Sequence, residues 1–182
     1  MSSPDSPVPL QGLLLRRERL DDDHLVAAAV EQNLDHLRPW MPWAVPAAAT
    51  ATAQRERLIG AEKCWDEGTD YSFLPLDASE QRLLGIFGLH RRIGPEAIEL
   101  GYWLDWESTG CGYATAGARA LTAAALKLDD VSRVEIHCDE ANRRSQLIPQ
   151  RVGFRLDRIE PDEVEAPAEV GRSMIWVYRL RD

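Results

Sequence analysis

Glu99 is the single charge in an eight-residue apolar stretch, Ala97 to Leu104 (AIELGYWL). A carboxylate so placed is either solvated on one face of a strand or set to accept a proton in a dry site. Just downstream, Gly110-Cys111-Gly112 opens an alanine-rich run that continues to Leu128. A glycine turn leading into a helix leaves backbone N–H groups unpaired at the positive end of the helix dipole, where a phosphate or pyrophosphate binds. Gly110 and Gly112 let that backbone approach an anion with no Cβ in the way. Asn142 and Ser145 stand three residues apart at the start of another helical run, where a serine is either a first-turn residue or a proton donor. Trp40 and Trp43 lie in LDHLRPWMPWA, whose two prolines make it too stiff for a plain linker; it walls a cleft or fills a core edge.

The rest of the composition narrows the chemistry. A formal net charge of −9 disfavours a nucleic-acid surface and suits either simple solubility or a cationic partner such as an amine. Cys64, Cys111 and Cys138 have no paired spacing, and His24, His36, His90 and His137 form no ligand cluster with them, so no metal site and no disulfide framework is expected. The beginning, MSSPDSPVPL, has neither a basic nor an apolar leader region, and no run approaches the ~20 apolar residues that span a bilayer. The expectation is a cytoplasmic protein with reduced thiols and no membrane partner.

The elements that must carry these residues follow from hydrophobic period. Residues 1–8 are Ser/Pro-rich and read as disordered, and 9–182 as one domain. Leu10 to Arg17 reads as a strand, Asp21 to Asn33 as a helix behind an acidic first turn, and Ala47 to Glu67 as a second helix stopped by Gly68. Tyr71 to Leu76, Arg82 to His90 and Ala97 to Leu104 read as an antiparallel meander. In the third strand Ile98, Leu100, Tyr102 and Leu104 share one face; Glu99, Gly101 and Trp103 share the other. A helix from the glycine turn to Leu128 follows, and then a strand, Arg133 to Cys138, parallel to the strand before the turn. A helix over Ala141 to Val152 and two closing strands, Phe154 to Ile159 and Met174 to Arg181, complete a mixed α/β chain.

Spacing separates the phosphate-binding alternatives. The dinucleotide fingerprint needs glycine at position 115, which is Thr115, and a Walker loop needs Gly-Lys-Ser/Thr, which is absent. Four ordered segments remain: LRPWMPW, IELGYWL, GCGYAT, and NRRSQLIPQRVGF with its Asn-x-x-Ser and closing Gly-Phe. Together they resemble the GNAT superfamily of acyl-CoA-dependent N-acetyltransferases, in particular its RimJ/RimL-like branch, over about Leu10 to Arg179.

The resemblance implies a GNAT-like fold: a mixed, mostly antiparallel sheet splayed at one parallel pair and flanked by helices. It implies acetyl-CoA as cosubstrate, with the pyrophosphate on the backbone amides of Gly110, Cys111, Gly112, Tyr113 and Ala114. The pantetheine arm would pair with main chain near Trp103 and Leu104 and bond Asn142, and Ser145 would lie near the thioester sulfur. By the same resemblance Glu99 is the base toward the amine, often through water, Ser145 the acid toward the thiolate, and main chain between Trp103 and Ala114 the oxyanion donor. Tyr102 and Tyr178 are alternative acids, or wall residues. Trp40 and Trp43 would select an acceptor amine, either a protein N-terminus or a small molecule. Relatives are often homodimers. They also carry a basic residue where this chain has Thr109, and often another at Cys111; Arg143 and Arg144 are the replacements at hand. Direct transfer is favoured over an acyl-cysteine, because no histidine is placed by motif to activate Cys111 or Cys138. Two other readings share these residues: a larger acyl donor such as succinyl-CoA, and a non-catalytic acyl-CoA-binding domain.

Overall fold

Period-two alternation in the strands and small-residue faces on the helices build one sheet with helices on both sides. A computed structural model describes residues 8–10, 13–77 and 79–179. In chain order the elements are β1 (Val8–Leu10), β2 (Leu13–Arg17), α1 (Asp23–Leu37), α2 (Ala51–Glu67), β3 (Asp70–Asp77), β4 (Gly85–His90), β5 (Ala97–Leu104), α3 (Tyr113–Ala125), β6 (Arg133–Asp139), α4 (Arg143–Val152), β7 (Arg155–Pro161) and β8 (Arg172–Arg179). The eight strands lie in the order β1-β2-β3-β4-β5-β6-β8-β7, and every neighbouring pair is antiparallel except β5 with β6.

Several boundaries differ from the sequence reading, for local reasons. The expected first strand is a hairpin, β1 against β2, with Val8 paired to Leu15; Val8 is therefore in a strand, and the rest of the segment expected to be disordered lies outside the described residues. The second helix starts at Ala51 and not Ala47, because Thr50 is extended and its hydroxyl accepts from the Ala53 amide, capping the helix there after a 3-10 turn over Pro46–Ala49. The first helix runs one turn further, to Leu37. α3 stops at Ala125, short of Leu128. β4 begins at Gly85, where φ is +147° and any Cβ would overlap the Trp103 carbonyl of β5, so the stretch from Arg82 enters the ladder late.

α3 lies close on the sheet through its small face. Gly117 rests on the fully buried Phe87 ring of β4, where a Cβ would overlap the ring, and Ala118, Leu121 and Ala125 continue the contact. On the other face, Val26, Val30 and Leu37 of α1 cover Leu74, Leu76, Ile86 and Trp103. Among the described residues no helix is long and apolar enough to cross a membrane.

Candidate active site

The parallel pair at the centre of the sheet is short. β5 and β6 are in register only at Ala97–Arg133, Ile98–Val134 and Glu99–Glu135. Beyond Glu99, β5 continues to Leu104 on β4, and β6 continues to Asp139 on β8. The strands fork, and the main chain of residues 100–104 faces the gap with no strand partner on that side. Such an edge offers N–H and C=O groups to an extended ligand. A cavity of about 680 Å3 passes through the fork, lined among others by Trp40, Trp43, Glu99, Trp103, Asn142 and Ser145.

β5 divides this cavity by its alternation. Tyr102 points toward α4, where its hydroxyl lies 3.3 Å from the Ser145 hydroxyl and 3.3 Å from the Ser145 carbonyl. Burial pushes the Tyr102 phenol well above its ordinary pKa, so it keeps its proton and can donate it. Burial likewise pushes the neighbouring Cys138 thiol up to about 11, the opposite of what a nucleophilic cysteine needs. Asn142 caps α4: its Oδ1 accepts from the Ser145 amide at 3.1 Å, so Ser145 is not the cap and its hydroxyl is left for the cavity. Tyr178 packs instead on Phe154.

The opposite face carries charge. Glu99 is 7% exposed, and both its oxygens accept from Arg92, at 2.7 Å each. Burial pushes the Glu99 carboxyl up, and the Arg92 guanidinium more than cancels this, leaving it below its ordinary value. His90 stands opposite Glu99 in the β4–β5 ladder, and its Nδ1 lies 2.5 Å from Asp70 Oδ1 of β3. On β6, His137 Nε2 donates to Glu135 Oε2 at 2.8 Å, and Arg133 Nε donates to Glu135 Oε1 at 2.7 Å. Arg92, His90 and His137 all line the cavity. The sequence reading passed over them; the signal available was alternation along β4, which in an antiparallel meander puts Gly88 and His90 on the face of Gly101 and Glu99.

The tryptophan loop forms a wall. Trp43 is 41% exposed and packs at 6.3 Å on Trp103, and the loop is held by the Pro39 carbonyl, which accepts from the Ala168 amide of the β7–β8 loop at 3.0 Å. Trp43 serves both readings offered by the sequence, because it packs on Trp103 and also lines the cavity.

The glycine turn lies past the end of β5, outside the residues that line the cavity. Gly110 and Gly112 have φ of +81° and +86°, and a Cβ built on either meets no atom within 4 Å. α3 starts at Tyr113 with no side chain on its N-cap, so the turn offers uncapped amides and open space, which fits an anion. Thr109 and Cys111 are turned to local carbonyls, of Trp106 and Thr109. The exposed Arg143 and Arg144 begin α4, and Arg144 is near enough to His36, which burial already pushes down, to lower its pKa further. Among the described residues no group of three His, Cys, Asp or Glu is placed to hold a metal ion.

Three comparisons bear on this geometry. A profile of the acetyltransferase (GNAT) domain matches residues 12–155. The Bacillus subtilis (strain 168) protein YdaF, assigned as a ribosomal N-acetyltransferase, is 29% identical over 141 residues, covering 73% of this chain and 72% of its own. A ribosomal-protein-S5-alanine acetyltransferase from Vibrio fischeri superposes with a TM-score of 0.88 at 19% identity, over 96% of this chain and 97% of that one. Mycobacterium smegmatis RimJ, solved with a CoA-disulfide, does so with a TM-score of 0.85 at 19% identity, over 97% of this chain and 88% of that one. At these identities the two structures establish the shared fold, and the profile establishes the family.

Proposed function

This chain belongs to the GNAT family of acetyltransferases, and from that premise we propose that it moves the acetyl group of acetyl-CoA directly to a primary amine, a protein N-terminus or a small molecule. The observation that carries the reading is the fork: β5 leaves β6 at Glu99–Glu135, and residues 100–103 of β5 line the cavity there. RimJ with its CoA-disulfide and the ribosomal acetyltransferases supply the substrate class by analogy.

The chain's own groups divide the work. The amides of Gly110, Cys111, Gly112, Tyr113 and Ala114 hold the pyrophosphate, with Arg143 and Arg144 supplying the charge that Thr109 and Cys111 lack. The main chain at Trp103 and Leu104 and the Asn142 amide hold the pantetheine arm. When bound, the coenzyme supplies an acyl group activated as a thioester. Tyr102 and Ser145 present hydroxyls to the leaving sulfur, and of the two Tyr102 is the stronger candidate donor because a phenol is a stronger acid than an aliphatic hydroxyl. Glu99 supplies negative charge beside the entering amine, but with both oxygens held by Arg92 and its pKa depressed it is a weak direct base. Trp40, Trp43 and Trp103 bound the acceptor's side chain. Cys138, kept as a thiol, takes no acyl group. The three cysteines are free, which suits a reducing compartment such as the cytoplasm.

The test is to follow thiol release from acetyl-CoA with a panel of peptides and small amines. Amine-dependent turnover with an acetylated product by mass spectrometry is expected. Release no faster than hydrolysis for every amine would overturn the reading. Faster turnover with succinyl-CoA than with acetyl-CoA would reassign the donor.

A further inference from the structure

His90 and Asp70 form a dyad on β4 and β3, and His90 lines the cavity at the fork. The two are ladder partners on β4 and β3, and His90 Nδ1 lies 2.5 Å from Asp70 Oδ1. An ionised carboxylate only accepts, so in the neutral imidazole the proton stands on Nδ1 and the lone pair on Nε2. The ring stands against Gly88, two residues earlier on the same face, where a Cβ would overlap Nε2 and Cε1. Gly88 pairs with Gly101 of β5, where a Cβ would lie 3.5 Å from Nε2. Two glycines in register thus clear the sheet surface beneath the imidazole, beside the point where β5 leaves β6, and His90, Gly88 and Gly101 all line the cavity. Glu99, the ladder partner of His90 on β5, has no oxygen free of Arg92.

We propose that His90 is the immediate acceptor of the amine's proton, and that Asp70 is the residue that positions it. The inference rests on the acetyl-transfer reading and assigns a step within it. The amine nitrogen forms a bond to the thioester carbonyl carbon, the carbon–sulfur bond breaks, the amine proton passes to His90 Nε2, and the sulfur takes a proton from Tyr102. The imidazolium then releases its proton to solvent and Tyr102 regains one, restoring both groups. The charges around His90 are Asp70 from β3, Arg92 beyond the end of β4, Glu99 from β5 and His137 and Asp139 from β6, with Arg57 of α2 and Glu165 and Glu169 of the β7–β8 loop also lining the cavity.

The experiment has two arms on the full-length protein. In the first, with no coenzyme present, the His90 ring nitrogens are assigned by their loss in His90→Gln, and NMR reads which of them carries the proton in the neutral ring. The wild type is expected to hold it on Nδ1 and Asp70→Asn to lose that preference; a wild-type ring protonated on Nε2, or a preference unmoved in Asp70→Asn, would overturn the dyad. In the second, kcat/KM is measured against pH for the wild type, His90→Gln and Gly88→Ala, after coenzyme A affinity is shown to be unchanged. The wild type is expected to lose activity on the acid side as the imidazole is protonated. His90→Gln is expected to lose that limb and at least about 100-fold in kcat/KM, within the usual range for a removed general base. Gly88→Ala keeps every titrating group but displaces the ring, and should lose activity while folding normally. A His90→Gln enzyme with the wild-type limb and nearly wild-type kcat/KM overturns this inference alone. A wild-type protein with no amine-dependent turnover overturns the acetyl-transfer reading, and this step with it, even if the His90 proton is found on Nδ1 as expected.

Discussion

The hydroxyl of Tyr102 lies 3.3 Å from that of Ser145, joining β5 to α4 across the gap where the two parallel strands separate. Tyr102→Phe is expected to lower kcat by about 100-fold or more, the range for loss of a general acid. Ser145→Ala should cost much less, because the phenol remains. The double variant should be worse than Tyr102→Phe alone, since either hydroxyl can serve the one sulfur. Steady-state kinetics of the three variants check this.

Arg92→Gln would leave a buried carboxylate without its guanidinium. In the wild type the folded-state pKa of Glu99 is depressed, so the stability it contributes is present above the unfolded carboxylate value and is lost as pH falls through the folded one. With Arg92 gone, the main opposition to burial is lost and the folded value rises. The variant should therefore be less stable than the wild type at neutral pH, and the difference should shrink as pH falls through the carboxylate range. Urea denaturation at neutral and acidic pH reads this difference.

Gly112→Val sets a β-branched residue at φ +86° and fills the open turn. We expect a folding cost of about 1–2 kcal/mol from the left-handed backbone and a much larger relative loss of coenzyme A binding. Calorimetric titration with coenzyme A, alongside a thermal melt, separates the two. Tight binding retained in Gly112→Val would move the pyrophosphate off this turn.

Gly117→Ala drives a methyl into the Phe87 ring. Overpacking of a rigid core costs about 1–3 kcal/mol, and α3 carries the glycine turn at its start, so coenzyme A affinity should fall together with stability. Chemical denaturation and a binding titration on the same sample test the coupling.

Cys138→Ala should retain activity, and mixing the wild type with acetyl-CoA alone should leave no acetylated protein by intact-mass spectrometry. A thiol pushed up to about 11 is almost wholly protonated at neutral pH. An acyl-protein that disappears on adding amine would instead establish a two-step route.

Much of this site is local, and local features are legible in a chain. The alternation of AIELGYWL set Tyr102 and Glu99 on opposite faces, and the fold keeps them there. The glycines at 110 and 112 marked the turn before α3, and both have positive φ. The Asn142–Ser145 spacing marked the start of α4. Where local chemistry was read too coarsely, boundaries moved: Thr50 caps a helix expected to begin at Ala47, and Gly85 delays a strand expected from Arg82.

What a one-dimensional reading could not contain was register and the partners it creates. Nothing in the spacing of Asp70, His90, Arg92 and Glu99 says that they meet; they do so because β3, β4 and β5 align Asp70 with His90 and His90 with Glu99. The depressed pKa of Glu99 depends on a guanidinium seven residues away, brought back by the turn between two strands. Periodicity comes from bonds between neighbours, so the chain itself decides which face a residue takes. Protonation, clearance and charge come from groups far apart in sequence, and packing alone decides which of them share a cavity.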